Sequence, residues 1–156
     1  MEIRLRRVGA EKAEFIWQMQ VEAFAGLYAK YQDAETSPAT ETVSKVRQRL
    51  EQPSTYYYLI ESEDTVVGAI RVVDHSDSSI PKRISPVFVL EQYRGQGIAQ
   101  AAIDEAERIH GSIGWQLDTI LEEAGNCYLY EKLGYRKTGK TEKINNKMTL
   151  IFYRKD

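Results

Sequence analysis

The hydrophobic positions change period several times along the 156 residues, and each change marks an element. Ile3 and Leu5 alternate with charged residues, which predicts a half-buried first strand. From about Glu11 to Tyr31 the period lengthens. Ile16, Ala23, Phe24, Leu27, Tyr28 and Tyr31 fall on one stripe of a long amphipathic helix, weakened by Gly26. Asp33 to Thr42 is rich in Ser, Thr and Ala around Pro38 and reads as a loop. A short helix over Val43 to Glu51 stops before Pro53.

Strands follow. Thr55 to Glu61 and Val66 to Asp74 are β-branched and aromatic, and a polar turn at Glu63 and Asp64 joins them into a hairpin. Both faces of these strands are apolar, which places them centrally in a sheet. Ile84 to Leu90 is a further strand in which Pro86 demands an edge, an irregularity or a bulge. A helix over Ile98 to His110 ends at Gly111. Trp115 to Leu121 is a strand, and Asn126 to Leu133 is a short helix closed by Gly134 at the C′ position. Tyr135 to Lys143 and Lys147 to Arg154 form a last hairpin around Asn145 and Asn146. The order is β-α-α-β-β-β-α-β-α-β-β: a mixed α/β fold with about seven strands and four helices, without repeat or linker, read as a single domain over residues 1–156.

Composition narrows the function. Apolar residues make up 42% and charged residues 28%, with a formal net charge of -2, so no global positive field favours nucleic acid or an anionic membrane. Basic clusters at Arg4, Arg6 and Arg7, and from Arg136 to Lys147, read as solvated strand faces. No apolar run approaches the roughly 20 residues that cross a bilayer. The single cysteine, Cys127, allows no intrachain disulfide and favours a reducing, cytoplasmic setting. Two histidines and one cysteine at distant positions give no metal-ligand spacing. Cys127 itself reads as a small core residue rather than a nucleophile.

The most informative stretch is VFVLEQYRGQGIAQAAI, Val87 to Ile103: a strand, a basic glycine turn, then a helix. No Ser, Thr, Asp or Asn stands immediately before that helix, so its first amides lack side-chain partners. Gly95 and Gly97 permit positive φ and close approach of a ligand. Free amides, the positive helix end and Arg94 together describe a phosphate or pyrophosphate site. A plain strand-to-helix turn is one alternative. A dinucleotide fingerprint is another, with Asp118 about 20 residues on, although Gln100 replaces its third glycine and most of the chain precedes the motif. No GxxxxGK[ST] occurs.

Gln92-Tyr93-Arg94-Gly95-Gln96-Gly97-Ile98-Ala99 matches the Q/R-x-x-G-x-G/A motif of the GNAT acetyltransferase superfamily, which this chain closely resembles. Tyr130-Glu131-Lys132-Leu133-Gly134-Tyr135 resembles the Y-E-K-L-G-F segment of the same family, in the expected order. The resemblance implies a mixed, mostly antiparallel sheet and an acetyl-CoA cosubstrate lying between two splayed strands, here Ile84–Leu90 and Trp115–Leu121. It implies that the backbone of Val89, with Phe88 and Leu90 beside it, holds the pantetheine arm and thioester carbonyl. It also implies that the amides of Arg94, Gly95, Gln96, Gly97, Ile98 and Ala99 cradle the pyrophosphate. A homodimer is compatible with it.

Transfer to an amine needs a neutral nitrogen, donors for an oxyanion and a proton for the departing thiolate. The Val89 amide is the expected oxyanion donor and Tyr130 the expected acid, its alternative being a packing role with a solvated hydroxyl. Asn126 and Tyr130, spaced i, i+4, share a helix face, while Leu129 and Leu133 share another that can pack in the core. Asn126 caps its helix, contacts the cofactor, or does both. No carboxylate occurs from Ile84 to Leu90. Glu122, Glu123, Asp74 and His75 are alternatives for a base, each also readable as a surface group, and none is assigned. Acceptor specificity in the resembled family lies in the first two helices, their loop and the last hairpin. Tyr28, Tyr31, Tyr56, Tyr57 and Tyr58 with Asp33, Glu35 and Glu41 form either an aromatic, acidic pocket for a cationic amine or a core stripe and strand. The acceptor is a small-molecule or peptide amine. The rival from another class is a noncatalytic acyl-CoA-binding sensor or interaction module.

Overall fold

A computed structural model describes residues 2–156. One seven-stranded sheet runs in the order β1-β2-β3-β4-β5-β7-β6. Its strands are β1 (Ile3–Val8), β2 (Thr55–Ser62), β3 (Thr65–Val73), β4 (Lys82–Val89), β5 (Trp115–Ile120), β6 (Arg136–Lys143) and β7 (Thr149–Lys155). Four helices, α1 (Ala13–Tyr31), α2 (Val43–Leu50), α3 (Ile98–His110) and α4 (Ala124–Lys132), complete the order that the sequence predicts. All strand pairs are antiparallel except β4 with β5.

The pleat divides the core. Successive strand residues point to opposite faces, so Tyr57 and Leu59 of β2 join Ile16 and Met19 of α1 and Val46 of α2. Tyr58 and Ile60 of the same strand face the other way, onto Ile98, Ala102 and Ile103 of α3. This is why Tyr56 to Ile60 carries an aromatic or aliphatic side chain at every position: the strand is covered on both sides. The β2–β3 turn places Glu63 and Asp64 at φ 49° and 67°, the left-handed pair that a two-residue hairpin requires.

Pro86 produces an irregularity rather than an edge. It follows a cis Ser85–Pro86 bond in β4, an interior strand, beside a register shift in the β3–β4 ladder between Ile70 and Val72. Beyond that shift β3 comes close at Gly68, where a Cβ would stand 2.1 Å from the Phe88 carbonyl oxygen. On its other side β4 pairs with β5 only through Lys82 with Trp115 and Arg83 with Gln116. From Ile84 onward the two strands have no ladder between them, and this opening positions the site.

Candidate active site

Six successive amides surround the glycine turn, and none has a partner among the described residues. Gly95 and Gly97 lie at φ 78° and 79°, conformations that disfavour any side chain. Gly97 is the N-cap of α3 without a side-chain bond, and the first amide that finds an acceptor is Ala101, on the Gly97 carbonyl. The amides from Gly95 to Gln100 therefore remain available at the positive end of a 13-residue helix. Ile98 is buried beneath the turn, and Gln96 is exposed on it.

Arg94 behaves differently from its sequence expectation. Its amide donates to Glu91 O, Nε donates to Val89 O at 2.8 Å, and Nη2 donates to Ala23 O at 2.7 Å. The guanidinium thus ties the end of β4 to α1, while its charge stays unpaired by any described carboxylate.

Ladder parity decides what β4 offers the gap. Leu90 donates to Val67 O, so its backbone faces β3 and its side chain is buried under α1; Leu90 does not reach the gap. Phe88 has the same parity and contributes its ring alone. Val89 and Val87 have the opposite parity, and their N–H groups point where β5 has already diverged. The Val89 N–H is available, but its carbonyl is occupied by Arg94. Val87 was not singled out from the sequence, because only the register reveals which residues face the gap.

The gap opens into a cavity of about 540 Å³ walled by β4, β5, α1 and α4. A smaller hollow of about 150 Å³ lies over the glycine turn, and the two share Val89, Arg94, Ala99 and Leu129. A single trough therefore runs from the free amides to the interior. Leu129 packs against the core, as the sequence allows, and also lines the trough.

The α4 segment fixes Tyr130 through its ending. Gly134, at φ 96°, donates to Glu131 O, and Tyr135 donates back to Tyr130 O at 3.0 Å. These two bonds are a Schellman cap, with the Tyr130 and Tyr135 rings in edge contact at 6.0 Å. Tyr130 lines the cavity, and its hydroxyl bonds to no described residue. Burial, and secondarily the Asp118 carboxylate, push its ionisation far above that of an ordinary phenol, so it remains protonated. Asn126 also lines the cavity but is not a cap. The helix starts two residues earlier, at Ala124, and the N-cap is Glu123.

Among the acidic residues weighed from sequence, Glu123 and Asp33 reach this cavity, as does Asp118. Glu123 accepts from the Tyr31 hydroxyl at 2.5 Å and Lys30 Nζ at 2.8 Å. Although burial opposes it, these bonds hold its carboxyl below the usual range. Asp118 is ion-paired with Arg83. Glu122 accepts from the Thr149 amide, Glu41 is clamped by Arg49, and Glu35 and His75 are exposed. Asp74 accepts from His110, whose other ring nitrogen meets the Tyr58 hydroxyl. Of the two readings of the tyrosines, the core one holds for Tyr57 and Tyr58, and the apolar lining of the cavity includes Phe24, Leu27, Phe88 and Met148 instead. Among the described residues no group of His, Cys, Asp or Glu could hold a metal ion, and no helix is long and apolar enough to cross a membrane.

The model of the acetyltransferase (GNAT) domain family matches residues 28–156. Human N-acetyltransferase 8B is 29% identical over 98 residues, 59% of this chain and 43% of that protein. Mouse probable N-acetyltransferase family 8 member 5 is 28% identical over 95 residues, 57% of this chain and 42% of that protein. The chain thus spans under half the length of these curated relatives. The PaiA N-acetyltransferase of Thermoplasma acidophilum, solved with coenzyme A, superposes with a TM-score of 0.76 at 15% identity, covering all of both chains. The spermidine N-acetyltransferase of Vibrio cholerae, solved with CoA and spermine, gives 0.73 at 15% identity over 97% of this chain and 93% of that one.

Proposed function

The chain belongs to the GNAT acetyltransferase family, and from that premise we propose that it transfers the acetyl group of acetyl-CoA directly to a primary amine of a small molecule. We take residues 1–156 as one acetyltransferase domain. The observation that carries the reading is a single trough with free amides at one end and the unpartnered Tyr130 hydroxyl inside. The amides from Gly95 to Ala99 suit a pyrophosphate, and the trough leads from them past Val89 to Tyr130.

Acetyl-CoA supplies a thioester whose carbonyl carbon accepts the amine and whose sulfur leaves. The Val89 N–H donates to the thioester oxygen as negative charge develops there. Tyr130 gives its proton to the departing sulfur as the new C–N bond forms and the C–S bond breaks. The nitrogen sheds its proton to water, which Glu123 at the cavity wall can order, and water returns a proton to the Tyr130 phenolate as CoA leaves, so that no net proton is gained or lost. A noncatalytic acyl-CoA module has no use for an unpartnered phenol in the trough, and so Tyr130 favours the enzyme.

Calorimetric titration with acetyl-CoA, with NAD as the control ligand, tests the reading. Saturable acetyl-CoA binding, lost in Gly97→Glu where a carboxylate enters the amide cradle, is expected, together with amine-dependent release of free CoA thiol. Binding of NAD instead would overturn it.

A further inference from the structure

Just beyond the C-terminus of α1, Asp33 lines the same cavity, a carboxylate only 8% exposed. Its Oδ2 accepts from Thr36 Oγ1 at 2.9 Å, and no other side chain or amide bonds its carboxylate among the described residues. No described lysine, arginine or histidine is paired with it, whereas the other carboxylates on the cavity wall are matched: Asp118 by Arg83 and Glu123 by Lys30. A buried charge without a counter-charge is costly, and a ligand that supplies one removes the cost. The negative end of the 19-residue α1 adds to the same field. The backbone holds the group in place, since the Thr36 and Ser37 amides both donate to Asp33 O.

Position along α1 distinguishes this residue from the Val89 end of the trough. Arg94 joins Ala23 O to Val89 O, which fixes the Val89 end of the trough beside Ala23. From Ala23 to Tyr31 the helix advances eight residues, on the order of 12 Å. A nitrogen attacking beside Val89 is neutral, and Asp33 follows the opposite end of that helix stretch, so a cation held at Asp33 is read as a different group of the acceptor. We infer that the acceptor is a dication, with one amine acetylated near Val89 and Tyr130 while Asp33 binds a second ammonium group. This inference rests on the acetyltransferase reading above and names the acceptor class for that site.

The test compares initial rates for alkanediamines of increasing length, alkylamines of equal length, and amino alcohols in which hydroxyl replaces the second amine. The wild type is expected to prefer one or a few diamine lengths over both matched controls by about tenfold or more in kcat/KM, the scale of one charge-assisted contact. In Asp33→Asn, which keeps an oxygen for Thr36, that preference should vanish through KM, with kcat on monoamines and affinity for acetyl-CoA unchanged. Thr36→Val, which removes the hydroxyl but leaves the charge, should retain the preference, separating charge recognition from loop integrity. Equal use of monoamines and diamines, or a preference surviving in Asp33→Asn, overturns the role of Asp33 while leaving the acetyltransferase reading intact. Acetyl-CoA binding without acetylation of any amine overturns both.

Discussion

A phenol buried beside a carboxylate holds its proton, and the role proposed for Tyr130 uses that property. Its ionisation is raised first by burial and then by the neighbouring Asp118 carboxylate, so deprotonation cannot remove this proposed proton donor in the accessible alkaline range. The rate at saturating amine should therefore show no descending limb from this group up to about pH 10, the ordinary phenol value. Tyr130→Phe should lower kcat by about 100-fold or more while leaving the acetyl-CoA dissociation constant unchanged. Stopped assays across pH and calorimetry on the variant check both, and an unaltered kcat would remove Tyr130 from the chemistry. The YEKLGY context singles out Tyr130, and the structure puts it on the cavity wall, but the positions of its neighbours cannot be read locally. Arg94 reads locally as a phosphate ligand, and nothing nearby in the chain announces that its guanidinium bonds to Ala23, 71 residues away. The availability of the Val89 amide depends on ladder parity, which a strand's own sequence does not contain.

The elements follow the sequence pattern because nearly every one has a clear period or stop signal. The exceptions are instructive. Asn126 looked like a cap because it is the obvious capping residue before Cys127, yet α4 begins at Ala124 and passes through Gly125. The true N-cap, Glu123, makes no capping bond, since its carboxylate is engaged by Tyr31 and Lys30 from α1. Long-range pairing therefore decided that boundary. At the other end local chemistry decided it: the Schellman cap needs a left-handed residue, and Gly134 provides it at φ 96°. The same cap sets the depth of Tyr130, because Tyr135 holds the Tyr130 carbonyl. Gly134→Ala places a Cβ in that conformation and 3.4 Å from Lys155 Cε. It should destabilise the fold by about 1–2 kcal/mol in denaturant titrations. If the cap positions Tyr130, kcat in the folded variant should also drop, with acetyl-CoA affinity preserved; a stability loss with kcat intact would confine the cap to a structural role.

At the scale of the molecule, one sheet carries two differently covered halves that separate along the line of the site. The β1–β4 half is a continuous antiparallel meander, and β5, β7 and β6 form the other half. They are joined at one end by two register pairs, reinforced by the Arg83–Asp118 ion pair, and open toward Val89. Hydrophobic burial by α3 and α4 spans the opening on one face, but no ladder closes it. A ligand occupying the gap bonds to groups that no strand satisfies, so its binding must stabilise the native state. At 100 times its dissociation constant, acetyl-CoA should add about 2.7 kcal/mol, a rise in melting temperature of roughly 5–11 °C for a chain of this size. Hydrogen exchange should locate the effect: the amides of Val87, Val89 and Gly95 to Gln100 should become protected, while those pairing β1 with β2, already bonded in the ladder, should change little. Protection spread evenly over the sheet would instead mean that the ligand acts on global opening alone, and protection confined to β1 and β2 would place the acetyl-CoA site away from the splay.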